Sequence, residues 1–84
     1  MIHEITNMTT GHHVIDIPDE VTVKLKFSKS VYDLEKTKYV YRSFHISAID
    51  FTHFYVGEHK GINVMHTSEL ASLLESALSF KILD

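Results

Sequence analysis

The sequence predicts an α+β domain: a small antiparallel β-sheet of four to five strands in meander order, with one C-terminal amphipathic helix packed on one face. Three observations carry this. Residues 20–28 alternate strictly between apolar and polar, a glycine-flanked polar segment at 57–61 separates two β-rich arms, and a leucine stripe at helical spacing comes only after the strands. Strands first and helix last argue for a meander over the interleaved order of βαβ crossovers.

Ile2 to Thr6 reads as a short first strand, Asn7 to Gly11 as a loop and His12 to Ile17 as a second strand. Pro18-Asp19 is turn chemistry, because proline fixes φ and an aspartate side chain bonds nearby backbone amides. In Glu20 to Ser28, Val21, Val23, Leu25 and Phe27 point one way, and Thr22, Lys24, Lys26 and Ser28 the other. That is the period of a half-buried strand.

Lys29 to Lys36 has no clear period and reads as a loop or a single helical turn. From Lys38 to Val56 the chain is rich in β-branched and aromatic residues, which favour a pleated, half-buried surface. The stretch is too long for one ordinary strand, so a bend or bulge near Asp50 is expected to divide it.

Gly57-Glu-His-Lys-Gly61 predicts a hairpin with a five-residue loop, its two glycines able to take φ > 0. A loop of that length pairs Val56 with Ile62 and sets Phe54 opposite Val64. Phe51, His53, Tyr55, Asn63 and Met65 then share the other face. Thr67 or Ser68 is placed to cap a helix with Glu69 in its first turn, where a carboxylate meets the positive end of the dipole. Leu70, Leu73, Leu74, Ala77 and Leu78 follow at the spacing of one buried helical face. Phe80, Ile82 and Leu83 leave an apolar tail that finishes the helix, adds an edge strand or reaches a second subunit.

With 84 residues, 44% of them hydrophobic, and no linker or repeat, a single domain over residues 1–84 is expected. There is no cysteine, which removes disulfides and thiolate metal sites. Small secreted domains usually need such staples, so a cytoplasmic location is expected. No basic leader precedes an apolar run, and no stretch approaches the roughly 18 apolar residues that span a bilayer, so no membrane role is expected.

Seven histidines are the obvious place to look for chemistry. They do not form a ligand motif. His12 and His13 are adjacent on a strand and point to opposite faces, and no i, i+4 pair or H-E-x-x-H is present. No metal site or cofactor is therefore assigned, and a metal or small-molecule binder using scattered histidines is the third reading. No serine sits in G-x-S-x-G and the glycines are spent on turns, so an enzyme is not expected.

The net charge of −3 hides an uneven layout, since six of the eight basic residues lie between Lys24 and Arg42. Lys24, Lys26, Lys36, Lys38 and Arg42, with tyrosines nearby, support a nucleic-acid-binding alternative in which cations neutralise phosphates and rings stack on bases. The leading expectation is a small non-enzymatic protein-interaction module, of the accessory or inhibitor type that phages and mobile elements encode. Its expected partner surface is Phe51, His53, Tyr55, Asn63 and Met65, because aromatic residues and methionine are enriched at interfaces. The apolar content exceeds what one helix can cover, so a protein partner or a homodimer is expected.

Overall fold

The computed structural model describes residues 1–29 and 38–83. Among them are seven strands and one helix: β1 (Ile2–Asn7), β2 (His12–Pro18), β3 (Glu20–Lys29), β4 (Lys38–Ala48), β5 (His53–Glu58), β6 (Gly61–His66), α1 (Thr67–Ser76) and β7 (Ser79–Leu83). The class is the expected α+β with antiparallel pairing, but the strands are more numerous and form two sheets. β1 and β2 make a separate hairpin, and the larger sheet runs β6-β5-β4-β3-β7. The meander therefore holds from β3 to β6, after which the chain crosses through α1 and returns to pair β7 with β3.

Why the first hairpin leaves the main sheet is visible at its exit. Pro18 has no N–H with which to continue a ladder, and only Asp19 separates β2 from β3. Asp19 is fixed at this corner: its carbonyl accepts the Ala48 amide at 2.7 Å, and its carboxylate accepts the His3 imidazole at 2.7 Å. The hairpin thus turns across the sheet. At its tip the Asn7 side chain accepts the Thr9 and Thr10 amides, and Gly11 takes φ 75°, a conformation costly for residues with a Cβ.

The core lies between the large sheet and a second layer made by α1 and the β1–β2 hairpin. Val21, Val23 and Leu25 of β3, Phe44 and Ile46 of β4, and Phe54 and Val56 of β5 line its sheet side. Ile5, Ile17, Leu70, Ala71 and Leu74 close it from the other side. The alternation read in β3 is the alternation observed.

Helix α1 begins one residue earlier than Thr67 as cap would place it, and two earlier than Ser68 would. His66 is the N-cap, its Nδ1 accepting the Ser68 amide at 3.2 Å, while Thr67 is buried and bonds the Thr52 carbonyl. The helix also stops short of the leucine stripe. Ser76 Oγ donates to the Leu73 carbonyl at 2.6 Å, Ala77 turns extended, and the exposed Leu78 donates its amide to Lys26 at the start of β7. A serine that bonds a carbonyl of the preceding turn competes with the helical ladder. Of the three fates open to the tail, the edge strand is the one observed.

The long β-rich stretch is divided near Asp50, at a bend over residues 49–52. The hairpin that follows is three residues tighter than expected and its register is shifted by one: Glu58 pairs with Gly61, leaving a two-residue turn of His59 and Lys60, with Gly61 at φ 142°. Val56 consequently faces Asn63, and Phe54 faces Met65. Since side chains alternate, this one-residue slip exchanges the two faces of β6. The loop or helical turn expected after Lys29, including Lys36, lies outside the described residues.

Candidate binding surface

One face of the large sheet packs on the core; among the described residues the other has no layer over it. Strand registers assign its residues. Opposite Thr22, Lys24, Lys26 and Ser28 of β3 stand His45, Ser43, Tyr41 and Tyr39 of β4, and opposite Ser47 stands Tyr55 of β5. Ile62, Val64 and His66 of β6 face Gly57, Tyr55 and His53. At the opposite edge, Lys81 of β7 faces Lys24. Tyr39, Tyr41, Tyr55, Ile62 and Val64 are all exposed.

Two regions divide this outer face. The first is a groove of about 790 Å³ lined by Ser43, His45, Ser47, Tyr55, Gly57, Glu58 and Ile62. Its form follows from residue size, because serines and a glycine alternate with a tyrosine and an isoleucine on neighbouring strands. A Cβ at Gly57 would lie 3.3 Å from Ile62 Cγ1, so the glycine keeps the groove open. His45 borders it in a fixed orientation, its Nε2 donating to Glu20 at 2.7 Å and its Nδ1 accepting from the Thr22 hydroxyl at 3.2 Å.

The second region is cationic and aromatic. Lys26 Nζ lies 4.0 Å from the centre of the Tyr39 ring, and Lys24 Nζ 4.9 Å from that of Tyr41. Ammonium groups at these distances are held by the ring quadrupole. Lys24 and Lys81, directly opposite, repel each other. Among the described residues of β3, β4 and β7, the one acid on this face is Glu20, at the far end and bound to His45.

The expected site residues are redistributed by these registers. His53 and Tyr55 are on the outer face, whereas Asn63 and Met65 lie on the inner one with Val56 and Phe54, Met65 packing against the core. Phe51 sits in the bend beside Met1 and His3, exposed but apart from Tyr55. The five do not form one surface. Lys24 and Lys26 are on the outer face, but Arg42 is on the inner one, where it donates through Nε (3.1 Å) and Nη2 to the Glu58 carboxylate and covers the Phe44 ring at 5.0 Å. That guanidinium holds the Glu58 carboxyl below its usual range, and the carboxylate raises Arg42 in return. Lys38 shares the inner side with Arg42, and Lys36 is outside the described residues.

Several histidines are tied to acids. His3, His13, His45 and His53 pair respectively with Asp19, Asp16, Glu20 and Asp50, each at a different place. Among the described residues no three His, Cys, Asp or Glu side chains are grouped to hold a metal ion, and no helix is long and apolar enough to cross a membrane. Residues missed in the sequence are Ser43, His45, Ser47, Ile62 and Val64 of the groove and its rim. Their signal was the alternation of β4 and β6, legible only once the register is fixed. Comparison with family models, curated proteins and solved structures finds no match to this chain.

Proposed function

We propose that the chain is a non-enzymatic interaction module whose working surface is the outer face of the large sheet, and that its partner is a protein. The observation carrying this reading is the groove at Gly57, rimmed by exposed Tyr55 and Ile62, on a sheet face that no other element among the described residues covers. Aromatic anchors over a recess of small residues are how interfaces concentrate binding energy. Two substitutions test it without touching the core. Ser43→Trp and Ser47→Trp should fill the groove and abolish capture of a partner that the wild-type chain retains; undiminished capture by both folded variants would count against the groove.

A second reading has its own observation. Lys24 and Lys26 share a face with Tyr39 and Tyr41, and Lys81 adds a third cation. This favours a polyanion with stackable bases, that is, single-stranded nucleic acid. Fluorescence polarisation with a labelled oligonucleotide at low salt should then show binding that Lys24→Ala/Lys26→Ala weakens about tenfold or more. No polarisation change for the wild type would remove this reading and leave the groove's partner unaffected.

A further inference from the structure

Among the described residues, strand β6 is an edge of the large sheet, paired only with β5. Glu58 and Gly61 flank a two-residue turn and so form a hydrogen-bonded pair. By the alternation of an antiparallel ladder, Val56 with Asn63 and Phe54 with Met65 exchange the next bonds. The Thr67 amide, donating to the Thr52 carbonyl at 2.8 Å, continues the same set. Ile62, Val64 and His66 therefore turn their N–H and C=O groups to the open edge.

Among the described residues nothing blunts this edge. Gly61-Ile-Asn-Val-Met-His66 contains no Lys, Arg, Asp, Glu or Pro, and its register with β5 has no bulge. Natural edges ordinarily carry a charge, a proline, a bulge or a cover. The opposite edge obeys that practice with Lys81 in a five-residue strand, and β2 of the small sheet carries Asp16 and Pro18. On β6, Ile62 is 72% and Val64 56% exposed on the outer side, and Asn63 is exposed on the inner side. Both faces of the strand are thus open at its exposed end.

We infer that β6 pairs antiparallel with β6 of a second copy of this chain, about a two-fold axis through Val64. The register follows from the backbone. An axis at Val64 sets Val64 against Val64 and Ile62 against His66 of the other copy, so that edge-facing groups on both strands meet. It also places outer side chains beside outer side chains, as continuation of one sheet requires. A second copy suits an uncharged strand, because like meets like without repulsion; self-pairing of β7 would bring Lys81 toward its own copy. The two outer faces would then join into one surface. This inference extends the self-association expected from the apolar content and does not depend on what occupies the groove.

Sedimentation equilibrium and oxidative cross-linking test it together. The wild-type chain should sediment as a dimer at tens of micromolar. Val64→Pro, which removes an N–H that points away from β5 to the open edge, should be monomeric while retaining its circular dichroism. Val64→Lys is the second variant should proline perturb the strand. As the chain lacks cysteine, Val64→Cys should form a disulfide-linked dimer on oxidation, since opposed Cα atoms lie within disulfide reach. Ile62→Cys, several residues from its own copy, should cross-link poorly. A monomeric wild type would overturn the inference, and so would a dimer that neither Val64 variant weakens. A Val64→Cys chain that cross-links no faster than Ile62→Cys would overturn it equally. Loss of groove binding with an intact dimer would leave it standing.

Discussion

At Asp50 a single carboxylate oxygen accepts the Thr52 and His53 amides at 2.8 Å, the Thr52 hydroxyl at 3.1 Å and the His53 ring at 3.1 Å. The backbone bond from Thr52 first, and the imidazole next, lower its pKa to about 2. A carboxyl depressed in the folded state stabilises the fold above its unfolded pKa, and that contribution disappears as pH falls through the folded value. Urea denaturation should therefore show wild-type stability falling between about pH 4 and pH 2. Asp50→Ala should be less stable at neutral pH and show a shallower fall over that window; parallel curves would refute this role. The core makes a larger demand. Phe54 is fully buried and meets the His3 ring edge to face at 5.5 Å, so Phe54→Ala should cost about 3–5 kcal/mol, read as a lowered denaturation midpoint. Phe54 was expected on an apolar face from its alternation with Val56. The burial of His3 was not, because it depends on Asp19 at the turn between β2 and β3.

Among the elements, β3 was legible almost residue by residue, since strict alternation over its length admits one buried face. The second hairpin was legible as a hairpin but not in register. Gly57 and Gly61 are equally able to bound a turn, yet only Gly61 takes positive φ, and Gly57 lies within the ladder. A single-residue difference moved Ile62 and Val64 outward and Asn63 and Met65 inward. Helix α1 was legible by its stripe but not at its ends, where a histidine cap and a serine-to-carbonyl bond replace the common signals. The cap gives a prediction. Removing the acceptor in His66→Ala should lower stability by about 1 kcal/mol, whereas His66→Asn, with a strong capping side chain, should retain it. Thermal unfolding of both variants decides the matter, and equal losses would show that the imidazole does not act as the cap.

Over the described residues the molecule is 44 × 29 × 20 Å, with one sheet face buried against a helix and a hairpin and the other left open by those residues. The two-layer class was legible because amphipathic elements must bury their apolar sides together. The small sheet was not, since nothing local distinguishes a hairpin that joins a sheet from one that crosses it until Pro18 and Asp19 are seen at the corner. The outer surface was the least legible part. Lys24 and Lys26 were readable as one face of β3, but their meeting with Tyr39 and Tyr41 depends on the cross-strand register of β3 and β4, which alternation within either strand does not fix.

On the proposed reading, this outer face holds the protein partner. Calorimetric titration of the captured partner against the wild type, Tyr55→Ser and Ser72→Arg, the last on the exposed side of α1 in the opposite layer, tests it most directly. Tyr55→Ser should weaken binding about tenfold or more, while Ser72→Arg should match the wild type. Wild-type affinity in a folded Tyr55→Ser chain, or a loss confined to Ser72→Arg, would contradict it.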